Sequence, residues 1–282
     1  MEHDKNDPAI VAGSEKVSEG FRAVGAIPGD TVFFHGSLSS MGAVKDGPIT
    51  VINGALAAVG PAGTVAMPTL WYNGKEPRNN PKDFDINNSP SYVGALSEAL
   101  RIDPRSVRSD NFSHSVSAIG ARAAALTFGH DKCCPSPSPW SSKAFSKGSP
   151  WDRLYTWNAL YCFIGVTMGV CTMKHYIEAR LVAECLAQAA PERRDGLRAR
   201  LSSLGVPGIW PFYNSENLAE VLAKRNLVSF GKIGSATIQG IRTRILVDET
   251  TSLLRSSPQD WLGQPFIAWR AECVGGKVLA QI

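Results

Sequence analysis

A histidine and a glutamate three residues apart carry the first chemical suggestion, in the segment Thr172-Met-Lys-His-Tyr-Ile-Glu178. Gly169 interrupts what precedes it, and Thr172 has the character of an N-cap. A helix starting at Met173 places His175 in its first turn and Glu178 on the same face. There the positive end of the helix dipole favours the neutral ring, the form that accepts a proton. Glu178 would orient that ring and stabilise the imidazolium formed in turnover. The same spacing also suits a surface helix start with an incidental His/Glu pair, and spacing alone does not separate the two. Cys171 with His175 offers a cysteine nucleophile and its base. That arrangement requires Cys171 to be helical, against Gly169 and the Thr172 cap.

A second candidate is the stretch His35-Gly-Ser-Leu-Ser-Ser-Met-Gly42, which follows a strand-like run and precedes a helix. Its glycines and serines would let backbone N–H groups and hydroxyls approach a phosphate or an amide-rich chain. It matches neither the nucleoside-triphosphatase loop nor the dinucleotide fingerprint, and an ordinary strand–helix turn fits it as well.

The elements that must hold these residues read as α/β. A helix is expected within residues 9–26, a buried strand at 31–35, and a helix over 48–59 with Pro48 as its first residue. Strands follow at 64–67, 113–119 and 160–165, with helices at 93–101, near 151–157, at 173–188 and near 215–225. Further strands are expected at 227–230, 235–239 and 242–247, and a last helix near 250–262. Residues 68–91 form a long loop carrying Trp71, Tyr72 and Phe84, and loops of that length are usually functional or mobile. No repeat or linker divides the chain, so 1–282 is read as one domain.

Bulk composition narrows the function classes. The 282 residues are 44% hydrophobic and 19% charged, those of a globular chain able to bury a sizeable core. No apolar run is long enough to cross a membrane, and the polar N-terminus lacks a signal peptide's apolar centre, so a cytoplasmic location is expected. The six cysteines, at 133, 134, 162, 171, 185 and 273, show no zinc spacing; reduced, mostly buried thiols and no metal are expected. A net charge of +4 without a basic block gives little reason to expect nucleic acid. It suits an anionic co-substrate better than a polycationic one.

Several separate stretches together resemble the aminoglycoside 3-N-acetyltransferase, or antibiotic N-acetyltransferase, family, in the family's order. They are Gly29-Asp-Thr-Val-Phe-Phe-His-Gly-Ser-Leu-Ser-Ser-Met-Gly42, Val59-Gly-Pro-Ala-Gly-Thr-Val-Ala-Met-Pro-Thr69, Arg108-Ser109, His114-Ser-Val-Ser-Ala-Ile-Gly120, Gly148-Ser-Pro150 and Thr172-x-x-His-x-x-Glu178. Residues 231–248 resemble the family's C-terminal part. The resemblance implies an α/β fold, a mixed central sheet flanked by helices, distinct from the common acetyltransferase superfamily. It implies an acyl-coenzyme A co-substrate, acetyl-coenzyme A first, direct transfer to an amine, and a homodimer. His175 falls on the family's catalytic histidine, and the Thr172 hydroxyl is a candidate for stabilising the oxyanion. The coenzyme-binding loop falls on His35, Gly36, Ser37, Leu38, Ser39 and Gly42, with Arg108, Ser109 and Ser115 lining the same cleft.

The departures concern the acceptor. A family His-Pro pair is replaced by Asn111 and Phe112, and an acidic residue expected between Trp210 and Glu220 falls on Asn214 or is displaced to Glu216. Either would compete with Glu178 as partner of His175. Acceptor contacts are therefore expected from Trp71, Tyr72, Asn214 and Glu216. The loop 68–91 mixes Glu76, Asp83 and Asp85 with Lys75, Arg78 and Lys82, which suits a small natural-product amine better than a polycation. Aminoglycoside resistance, and the scaffold turned to other chemistry or to binding alone, remain as alternatives.

Overall fold

The computed structural model describes residues 11–71, 81–201 and 208–275. The chain opens with β1 (Val11–Ala12), α1 (Ser14–Ala23), β2 (Thr31–Gly36), β3 (Ala43–Val44), α2 (Pro48–Val59) and β4 (Thr64–Pro68). It continues with α3 (Ala95–Ile102), β5 (Val107–Arg108), β6 (Val116–Gly120), α4 (Ala123–Thr127), α5 (Pro150–Thr156) and β7 (Leu160–Ile164). Then come α6 (Met173–Gln188), α7 (Arg194–Ala199), α8 (Ser215–Lys224), β8 (Ser229–Ile233), β9 (Ala236–Arg242), α9 (Thr243–Ser256), α10 (Pro258–Trp261) and α11 (Gln264–Cys273).

Seven strands form one mixed sheet in the order β5-β6-β4-β2-β7-β9-β8. β2 runs parallel to both β4 and β7, while β6, β5, β9 and β8 each pair antiparallel. Alternation along the strands feeds two cores. Val32, Phe34, Val65, Leu160 and Cys162 pack under α1, α2 and α3; Phe33, Tyr161 and Phe163 pack under α5, α6 and α9. Strand order reverses at β2, and in parallel α/β sheets the crevice beyond the strand ends at such a point is where ligands sit. β2 and β7 deliver His35 and the approach to α6 to that end of the sheet.

Three expectations of the sequence reading give way. Residues 242–247 are not a strand: β9 stops at Arg242 and α9 begins. The buried residues Thr243, Leu246, Val247, Thr250, Thr251 and Leu254 recur at helical spacing, and burying that face outweighs the β-branched composition. The helix expected to end near 262 closes at Ser256 before Pro258, and α11 follows it. The strand expected from 113 starts at Val116, because the Asn111 carboxamide oxygen accepts from the backbone N–H groups of Ser113 and His114 and ties them in a turn.

Candidate active site

α6 presents His175 as its third residue. The His175 imidazole Nδ1 lies 2.8 Å from Glu178 Oε2, which also accepts from Trp210 Nε1 at 2.9 Å. A carboxylate only accepts, so Nδ1 carries the proton and the Nε2 lone pair is left for other partners. Glu178 is fully buried, and its second oxygen, Oε1, has no hydrogen-bond partner among the described residues. Asn214 and Glu216 take no part in this pairing. Asn214 caps α8 by accepting from the N–H groups of Glu216 and Asn217, and Glu216 accepts from Thr167 Oγ1 at 2.9 Å. Their place is the start of α8 and the turn before α6.

Thr172 stands at the head of α6 but makes no side-chain cap, because its backbone is already helical. The cap comes from the sheet instead. The Tyr161 hydroxyl accepts from the Met173 N–H at 3.3 Å and is 2.7 Å from His35 Nε2. Burial pulls His35 down to about 3, so the ring is neutral and its Nε2 accepts the phenol proton. His35 also stacks on Phe163. His35 is therefore an interior support for the first turn of α6 and not a loop residue open to a ligand.

Beyond His35 the loop is accessible. Ser37 and Ser39 approach each other at 3.1 Å between hydroxyls, and Ser40 donates to the Ser37 carbonyl. Gly36 packs against Leu96, where a Cβ would come within 2.9 Å, Leu38 is half-buried, and Gly42 holds a φ of 77° that an L side chain rarely adopts. Ser37, Ser39 and the adjacent backbone are the polar groups that this loop offers.

Arg108, Ser109 and Ser115 are buried. Arg108 donates to the carbonyls of Thr69, Ser89 and Ile86 and to Ser115 Oγ, and lies over the Phe84 ring. Burial lowers its guanidinium to about 10. Ser115 donates to the Thr69 carbonyl, and Ser109 pairs with His130 Nδ1. A guanidinium whose donors are spent on carbonyls serves as a staple. Trp71, 4% exposed against Phe84, belongs to the same packing, and Tyr72 lies outside the described residues. Arg108→Ala should therefore lower unfolding stability by about 2–4 kcal/mol in denaturant titration, with the folded protein's coenzyme affinity unchanged. Weaker coenzyme binding at unaltered stability would return Arg108 to a phosphate-binding role.

The sequence reading missed the surroundings of His175. His114, Trp140, Phe145 and Phe212 have ring centroids 5.9, 5.2, 5.6 and 6.4 Å from the imidazole. His114 and Phe145 are buried, whereas Trp140 and Phe212 are 37% and 49% exposed. Nothing local in the sequence around Trp210 points to its hydrogen bond with Glu178. Cys171 is buried, with its thiol raised to about 11, and is no ready nucleophile. Among the described residues no group of three or more His, Cys, Asp or Glu could hold a metal, and no helix is long and apolar enough to cross a membrane.

Fold and site together define an α/β protein with a mixed seven-stranded sheet and a histidine–carboxylate pair at the head of a helix beyond its parallel centre. Residues 33–255 match the model of the aminoglycoside 3-N-acetyltransferase family, and the chain belongs to that family. It is 30% identical over 179 residues to aminoglycoside N(3)-acetyltransferase VII of Streptomyces paromomycinus, covering 58% of this chain and 59% of that enzyme's length. It is 25% identical over 250 residues to the aminoglycoside N(3')-acetyltransferase-like protein YokD of Bacillus subtilis, covering 79% of this chain and 85% of that one. The structure of AAC-IIIb with CoASH superposes with a TM-score of 0.67 at 20% identity, over 90% of this chain and 99% of that one, and so shares the fold.

Proposed function

We propose that this protein is a coenzyme-A-dependent N-acyltransferase, moving an acetyl or similar acyl group to the amine of a small natural product, with His175 as general base. The observation that carries this reading is the His175–Glu178 contact, which fixes the ring and leaves Nε2 as the proton acceptor. The thioester supplies an activated acyl carbon. As the acceptor nitrogen attacks it, His175 Nε2 removes the nitrogen's proton. Glu178, through Nδ1–H, offsets the charge on the resulting imidazolium. His175 then returns the proton to the departing sulfur, so that the coenzyme leaves as a thiol. Direct transfer needs no protein nucleophile, consistent with the buried Cys171.

Ser37, Ser39 and the backbone of residues 36–42 would hold the coenzyme, and the Thr172 hydroxyl, unused as a cap, would stabilise the oxyanion. The acceptor is read as a natural-product amine because rings pack around His175 and the carboxylate that touches it, Glu178, is buried. Aminoglycoside acetylation is the second reading, supported by the name of the Streptomyces paromomycinus relative. The test is thiol release from acetyl-coenzyme A with a panel of amines that includes gentamicin-like aminoglycosides. Release with a small amine supports the first reading, and release with aminoglycosides alone the second. Coenzyme binding with no release from any amine would replace both with a binding role.

A further inference from the structure

We infer that Trp140 and Phe212 form a specificity rim at the base, and that the acceptor is an amine borne on an aryl or similarly flat apolar group. This rests on the acyl-transfer reading for its chemistry, but recognition can be measured apart from it.

The four rings around His175 divide by burial. His114 and Phe145, 6% and 3% exposed, form a floor, with Phe145 4.7 Å from the His114 ring. Trp140 stands 5.2 Å from both the His114 and the His175 rings, and Phe212 stands 6.4 Å from His175. Those two leave large apolar faces in solvent beside the imidazole. Trp140 belongs to the segment before α5 and Phe212 to the segment before α8, so each approaches from a connection and not from the core. An amine that approaches the imidazole from the side of these two rings meets their exposed faces.

The electrostatics point the same way. The carboxylate at the base, Glu178, is fully buried and already accepts from His175 and Trp210, so it offers nothing to a second ammonium of a polycation. At the start of α8, Glu216 is engaged by Thr167. A single amine on a flat apolar body gains ring contact against Trp140 and Phe212 and loses no hydrogen bond there. A polyhydroxylated polycation would have to give up water against those faces without polar compensation.

The experiment is calorimetric titration of the full chain, saturated with coenzyme A, with 2-phenylethylamine, tryptamine, n-hexylamine, spermidine and gentamicin. The aryl amines should bind at least about 10-fold more tightly than n-hexylamine or spermidine. Trp140→Ala and Phe212→Ala should each weaken the aryl amines by roughly 3- to 10-fold while leaving n-hexylamine unchanged, and Trp140→Phe should recover most of the loss. Tighter binding of spermidine or gentamicin, no measurable binding of either aryl amine, or aryl affinities untouched by both alanine variants would overturn the inference. Thiol release in parallel keeps the two readings apart. Aryl-amine binding without release removes the acyl transfer and keeps the rim; release from amines with no aryl preference does the reverse.

Discussion

His175→Ala should lower kcat for acyl transfer by about 10²- to 10⁴-fold while leaving coenzyme affinity close to that of the parent chain. The ring is 14% exposed and is a hydrogen-bond partner of the buried Glu178, so the variant also loses some unfolding stability, and its rate is compared on folded protein. His114 is the nearest alternative, but its ring is buried and held well below the ordinary histidine range by desolvation first and by the neighbouring His175 second. Glu178→Gln is the companion measurement. An amide oxygen can still accept from His175 Nδ1 and Trp210 Nε1, so the ring stays oriented while the negative charge is lost. A fall of roughly 10- to 100-fold in kcat, with KM for the amine little altered, is expected. An unchanged kcat in His175→Ala would remove His175 as the base. An unchanged kcat in Glu178→Gln alone would reduce Glu178 to a purely geometric support.

The second large effect is on stability below neutral pH. His35, His114 and His130 are buried, and desolvation holds His35 at about 3, His130 at about 4 and His114 well below its ordinary value. In the unfolded chain these rings protonate near 6.5. Between that value and the folded ones the unfolded chain binds more protons, so stability rises with pH there. The contribution is fully present above about 6.5 and is lost as pH falls. Each ring that takes up a proton only on unfolding costs on the order of 1 kcal/mol per pH unit in that window, so three such rings weigh heavily against a typical domain stability of about 5–15 kcal/mol. Denaturant midpoints measured from pH 7.5 to 4.5 should therefore fall steeply from about pH 6 downward. The carboxylates Glu98 and Asp103, lowered by Arg101 and Arg105 respectively, would act at more acidic pH. His130→Gln should flatten the slope between pH 6 and 5, and an unaltered slope would show that this ring does not titrate on unfolding.

The frame of the fold was legible because its signals are local. Pro48 and Gly60 bracket α2, and the apolar run at 160–164 marks a strand buried on both faces. The pairing of His175 with Glu178 was also legible, since three-residue spacing on a helix fixes a shared face. What could not be read came from contacts across the chain. Tyr161 takes over the capping that Thr172 was expected to provide, and nothing in either residue's neighbourhood announces it. The resemblance put Arg108 beside the coenzyme loop, and the carbonyls of Thr69 and Ser89 that take up its donors lie far from it in sequence. Trp140 sits in a Pro/Ser-rich connection without periodicity, so its meeting with His175 had no sequence signal. The strand expected at 242–247 failed because the tertiary demand to bury one helical face overrode local propensity.

The base and the rim belong to different kinds of structure. His175 is set on a sixteen-residue helix whose head is fastened to the sheet through Tyr161, whereas Trp140 and Phe212 hang from connections outside the regular elements. Substitutions in those connections can redraw what is admitted without moving the proton acceptor. Chemistry and choice of acceptor are then separately heritable. A lineage built this way can change clients by small steps while its reaction stays intact, and directed evolution of new acceptors should begin at 140 and 212.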